Sequence, residues 1–113
     1  MEIVFGTRKL ERACNSEREC IRCWGADNAK KIMQRLQELR AAPALTDMSA
    51  LPAARCHPLG GRKVGEFAVD LKDPFRLVFE PAHRPVPRKQ DGGIDLDRVT
   101  RIRVLRVEDY HGR

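Results

Sequence analysis

Three stretches of this chain carry side chains able to do chemistry. They are Cys56-His57-Pro58-Leu59-Gly60-Gly61, the arginine within Pro74-Phe75-Arg76-Leu77-Val78-Phe79, and the terminus Val107-Glu108-Asp109-Tyr110-His111-Gly112-Arg113. A histidine titrates at about 6.5, so it takes or gives a proton at neutral pH. An arginine holds two nonbridging phosphate oxygens at once and stabilises charge that develops on them. Tyrosine can stack on a base or donate its hydroxyl, and aspartate can orient a histidine or act on the proton itself. Together these types suit RNA cleavage by the adjacent 2′-hydroxyl. There the 2′-oxygen loses a proton, the phosphorane gains negative charge, and the leaving 5′-oxygen gains a proton. That reaction needs no metal or other cofactor, and the chain lacks the acidic cluster that metal-dependent nucleases use. Singly, each stretch has a blander reading. A lone surface histidine such as His83 ordinarily does nothing, and a terminal Asp-Tyr-His could be a polar end.

The chemistry therefore depends on a fold that brings His57, Arg76 and the terminal side chains to one face. Ile3-Val4-Phe5, ended by Gly6, is expected to be a first strand. From Lys9 to Trp24, Leu10, Ala13, Cys14, Ile21 and Trp24 recur at helical steps, which predicts one amphipathic helix ended by Gly25. Asp27 is then expected to cap a second helix. Its stripe is Ala29, Ile32, Met33, Leu36 and Leu39, its water-facing side Lys30, Lys31, Gln34, Arg35 and Glu38, and its end Pro43. The C-terminal half changes period. Phe67, Val69 and Leu71 alternate with Glu66, Ala68 and Asp70; after the turn Lys72-Asp73-Pro74, Phe75, Leu77 and Phe79 alternate with Arg76 and Val78. Ile102 and Val104 then oppose Arg101, Arg103 and Leu105. These are expected strands of an antiparallel sheet with a helix hairpin packed on one side, an α+β fold. The Pro/Gly-rich loop at about 81–98 is expected to lack regular structure. Its Arg84, Arg88 and Lys89 suit a phosphate backbone, and a solvated hairpin extension is the plainer alternative.

Charge and size narrow the partners. The chain has 113 residues, enough for one domain but not two. Its 42% hydrophobic and 34% charged residues describe a soluble globule, and a mean hydropathy of -0.51 with no long apolar run excludes a membrane span. No secretory signal is visible, so the cytoplasm is the expected compartment. The 22 basic residues against 16 acidic ones give +6, which favours anionic partners, nucleic acid first. Both halves share the excess, with 10 basic and 7 acidic residues in 1–56 and 12 and 9 in 57–113. Any phosphate-binding surface must therefore be assembled by folding. Cys20-Ile21-Arg22-Cys23 has the spacing of zinc and redox sites, but no second pair follows. Cys14, Cys20, Cys23 and Cys56 read foremost as reduced structural thiols, with zinc and redox chemistry as alternatives.

The element order resembles that of the RelE/ParE toxin superfamily. Four fragments, Cys56 to Gly61, Phe67-Ala68-Val69-Asp70-Leu71, Pro74-Phe75-Arg76-Leu77-Val78-Phe79-Glu80-Pro81 and Glu108-Asp109-Tyr110-His111, look like its HigB branch, the toxins of host-inhibition-of-growth modules. The likeness runs over nearly the whole of residues 1–113. It implies a two-helix hairpin on a small sheet in the order β-α-α-β-β-β, and a ribosome-dependent mRNA endonuclease that cuts codons in the decoding site. It also implies a helix-turn-helix antitoxin of the HigA type as partner. Carried over by position, His57, Asp109, Tyr110 and His111 match the residues such toxins need for cleavage, and Arg76 matches the arginine proposed to contact the scissile phosphate. Family members often carry a lysine just after His-Pro-Leu; this chain has Gly60, with Arg62 and Lys63 near enough to replace the charge. The Pro/Gly-rich loop is longer than in compact HigB proteins. Two alternatives stand beside this reading: a ParE-like gyrase inhibitor, a class that shares the fold but lacks the His/Asp/Tyr/His set, and a non-catalytic module that binds nucleic acid or an antitoxin.

Overall fold

The computed structural model describes residues 1–109. Strand β1 (Glu2–Phe5) leads through Gly6 into helix α1 (Arg8–Asn15), whose first turn is capped by Thr7, its hydroxyl accepting from the Leu10 N–H at 3.1 Å. The expected single helix to Trp24 is interrupted. Ser16 turns extended (φ -127, ψ 117), and its Oγ accepts from the Glu19 N–H, so that it caps a new helix, α2 (Glu17–Ala41). Helical residues continue past Gly25, which breaks α2 at φ 84, ψ 163, a conformation open essentially to glycine alone. Asp27 lies inside α2 and pairs with Lys72 at 3.2 Å.

Ala29, Ile32, Leu36 and Leu39 form the buried stripe, with Met33 partly buried at its margin. Arg35, expected in water, is buried in that stripe at 3% exposure. Its guanidinium donates to the Asp70 carbonyl (2.7 Å), the Ala53 carbonyl (3.0 Å) and Glu38 Oε1 (2.9 Å), so the buried charge is fully partnered. A second polar tie runs from Asn28, whose side-chain oxygen accepts from the Lys72 N–H. The amino group of Met1 donates to the carbonyls of Leu39, Arg40 and Ala42, where a cation suits the carbonyl end of the helix.

After two short 3-10 turns come β2 (His57–Pro58), a further 3-10 turn at Gly61–Lys63, β3 (Phe67–Asp70), β4 (Phe75–Pro81) and β5 (Arg101–Asp109). They form one five-stranded sheet in the order β1-β5-β4-β3-β2. The sheet is mixed rather than antiparallel throughout. β1 runs parallel to β5, with Ile3 beside Ile102, because the helices carry the chain across the sheet between β1 and the remaining strands. Phe67, Val69, Leu77, Phe79, Ile102 and Val104 bury the helix-facing side against the α2 stripe, and Phe67 and Phe79 stack at 6.0 Å.

The loop after β4 is more ordered than its composition predicts. Pro81 still belongs to β4; Arg88 bridges to Ile94, Gly93 accepts from the Lys89 N–H, and Leu96–Arg98 is a 3-10 turn. His83 Nε2 accepts from the Thr100 and Arg101 N–H groups at 3.0 and 3.2 Å, tying the loop to the start of β5. A histidine expected to do nothing thus has a structural task.

Candidate active site

Strand register decides which side chains can meet. His57 lies opposite Ala68, Ala68 opposite Val78, and Asp70 opposite Arg76, so His57 and Arg76 share the side of the sheet that faces away from the helices. Two strand spacings across and two residues along separate their Cα atoms by about 12 Å. Side chains of their length can reach a group held between them. Ala68 and Val78 are fully buried and form the apolar floor there.

The far wall depends on an irregularity. Val104 lies opposite Phe79 but Arg106 lies opposite Val78, so Leu105 is an extra residue in β5. Beyond it the phase of the strand changes. Val107 joins the helix-facing side opposite Leu77, while Arg106 and Glu108 turn to the side of Arg76. Asp109 stands opposite Phe75 and so on the other side of the sheet from Arg76. The register brings His57 and Arg76 together, and does not bring Asp109 with them. Tyr110 and His111 lie outside the described residues.

At the centre of this side stands Glu108, which is not among the residues expected to act. Its carboxylate receives Arg76 through Nε (2.9 Å) and Nη2 (2.6 Å), Lys63 through Nζ (3.0 Å) and Arg106 through Nε (2.5 Å). Arg106 also donates to Glu66 at 2.7 Å. Arg76 and Glu108 keep only 13% and 16% of their side-chain surface exposed. Burial alone would raise the pKa of Glu108; hydrogen bonds from Arg106, Arg76 and Lys63 outweigh it and hold it down to about 2. The carboxylate is therefore ionised at neutral pH, and Arg76 is engaged by it.

His57 Nδ1 lies 2.7 Å from the Arg55 carbonyl. A carbonyl only accepts, so Nδ1 carries the proton and the lone pair of the neutral ring sits on Nε2. Arg55, left-handed at φ 45, is itself held by both oxygens of Asp70 at 2.8 and 3.0 Å. The segment before His57 is thereby fixed from two directions, by Arg55 outside and by Arg35 at Ala53 inside.

Of the residues expected to bind RNA, Lys63 reaches the cluster. Arg62 is exposed on the same 3-10 turn. Arg84, Arg88 and Lys89 are exposed on the long loop, and Arg88 donates to the Gly92 carbonyl. That loop flanks an open, mostly apolar cleft of about 430 Å³ beside Pro58, Val64 and Phe67. The cysteines lie elsewhere: Cys14 and Cys20 are buried and Cys23 exposed, all on the helices, and Cys56 is half-buried beside His57. Burial pushes the Cys14 thiol up to about 12 and those of Cys20 and Cys56 to about 11, so at neutral pH these three are protonated thiols. Among the described residues no group of three or more Cys, His, Asp or Glu is arranged to hold a metal ion, and no helix is long and apolar enough to cross a membrane.

The architecture matches a known class. A YoeB/ParE toxin from Agrobacterium tumefaciens aligns over 96% of this chain and 98% of its own, with a TM-score of 0.52 and 14% sequence identity. At that identity the likeness establishes the fold alone, an arrangement of the RelE/ParE kind that in this chain packs helices on one side of a mixed five-stranded sheet. No protein-family model and no curated protein matches the sequence.

Proposed function

We propose that this chain is the toxin of a type II toxin–antitoxin module and acts as a ribosome-dependent, metal-independent mRNA endonuclease of the HigB kind. The observation that carries the reading is the pairing of a tautomer-fixed imidazole with a guanidinium on one side of the sheet. In this mechanism His57 Nε2 takes the proton of the 2′-hydroxyl as general base. Arg76 binds the nonbridging oxygens and stabilises the charge of the phosphorane. His111 returns a proton to the leaving 5′-oxygen, Tyr110 stacks on a base, and Asp109 orients the terminal segment. Arg62, Arg84, Arg88 and Lys89 hold RNA of the ribosome or message by charge. The reaction takes place in the cytoplasm on the ribosome, and a helix-turn-helix antitoxin of the HigA type keeps the toxin silent.

Ribosomes carrying a defined mRNA test the proposal. The wild type should cut within the decoding site without added metal, and His57→Ala and His111→Ala should each slow cutting by about 100-fold or more, the usual worth of a general acid or base. Equal cutting by all three proteins, or none by the wild type, overturns it. Inhibition of gyrase supercoiling with the mRNA left intact would assign the chain to the ParE-like class instead.

A further inference from the structure

Arg76, Lys63 and Arg106 converge on one carboxylate, yet none of the three comes from the same element as another. Lys63 belongs to the 3-10 turn, Arg76 to β4 and Arg106 to β5. With Glu66 beside Arg106, the cluster holds three cations and two carboxylates. Such an excess of donors around a single carboxylate is the arrangement by which proteins bind phosphate: the planar arginine fork fits a carboxylate and a phosphate alike, and lysine adds a point charge. Glu108 itself keeps 16% of its side-chain surface exposed, so rotation of the side chain alone can take the carboxylate out into water while the backbone of β5 stays paired. Its departure would remove one negative charge from beside Lys63, Arg76 and Arg106, and an arriving monoanion would replace it.

We infer that Lys63, Arg76 and Arg106 form an oxyanion clamp whose ligand is an RNA phosphodiester, and that the Glu108 carboxylate occupies the clamp until the phosphate displaces it. The inference rests on the ribonuclease reading only for the identity of the ligand as RNA. It adds Arg106 to the phosphate-binding residues, and it makes Glu108 an internal competitor that weakens binding to stray RNA. A phosphate must bring enough further contacts to displace an anion already held by three cations. A message positioned by the ribosome does so readily, and a free oligonucleotide does so only near saturation.

The test uses the isolated full chain and a 2′-O-methyl hexanucleotide, which has no free 2′-hydroxyl and so is not cut. Inorganic phosphate is the second probe. Glu108→Gln should bind the hexanucleotide about tenfold more tightly than the wild type at equal salt, and Glu108→Gln with Arg106→Gln should lose that gain. A folded Glu108→Gln with unchanged or weaker binding of the hexanucleotide overturns the inference; a gain for inorganic phosphate alone overturns the assignment to RNA. Should Glu108→Gln fail to fold, the wild type still decides. Saturating hexanucleotide must move the side-chain NMR resonances of Arg76, Arg106 and the Glu108 carboxyl carbon, and their standing still sinks the clamp. Binding as expected without any cutting of ribosomal mRNA would reject the nuclease and leave the clamp in place.

Discussion

At the scale of single residues, the buried guanidinium of Arg35 does more for the site than its position on a helix suggests. It joins α2 to β3 at the Asp70 carbonyl and to the segment before His57 at the Ala53 carbonyl, both contacts far apart in sequence. Replacing it with methionine keeps much of the volume but strands two buried carbonyls and Glu38. Arg35→Met should therefore destabilise the protein by about 2–5 kcal/mol in urea unfolding, the range for removing one partner of a buried charged network. A loss under about 0.5 kcal/mol would mean that water replaces every contact. The sequence held a signal for Arg35: at about 100° per residue it falls about 60° from Ile32 and 40° from Leu39, inside the apolar stripe. Its charge alone argued for solvent. Glu108 offered no such signal, because its partners come from residues 63, 76 and 106 and meet only after the strands pair.

At the scale of elements, alternation made the strands legible, and helical spacing made the apolar stripe legible, because both depend on neighbours within a few residues. What stayed hidden were the breaks. Ser16 read as one more polar position on a helix, and the extra residue at Leu105 showed only as a step of three between Val104 and Val107, which is what turns Arg106 and Glu108 toward Arg76. The mixed sheet was hidden as well, since nothing in Ile3-Val4-Phe5 records that its partner is parallel and about a hundred residues away. Gly25 was visible as a helix breaker, and the structure explains the need for it. A Cβ there would meet no atom within 4 Å, so the whole penalty of Gly25→Ala comes from the backbone. With φ 84 and ψ 163 that penalty is about 1–3 kcal/mol, to be read as a lower denaturant midpoint with an unchanged slope. An unaltered midpoint would show that the two parts of α2 can join without the kink.

At the scale of the whole molecule, the distribution of charge says where nucleic acid can gain most. Much of the positive charge on the sheet is already matched, Arg101 with Glu2, Arg103 with Glu80, Arg106 with Glu66 and Arg55 with Asp70. Pairs of this kind contribute little to stability, and they also leave little net field. Among the described residues Arg62, Arg84, Arg88 and Lys89 are exposed and make no ion pair, and three of these four stand on the loop that His83 ties to β5. An anchored loop holds its cations at a fixed place relative to the sheet, whereas a free one would spread them. If the loop touches ribosomal or messenger RNA, replacing Arg84, Arg88 and Lys89 together with alanine should lower the steepness of log affinity against log salt by about 0.7 per lost contact on a single strand, about 2 in all. The fold should stand, since among the described residues the three side chains make one hydrogen bond, that of Arg88 to the Gly92 carbonyl, and the backbone ties of Lys89 to Gly92 and Gly93 survive alanine. A slope that does not change would make the loop a spacer, and would leave the 3-10 turn and the clamp on the sheet to supply the electrostatic part of binding.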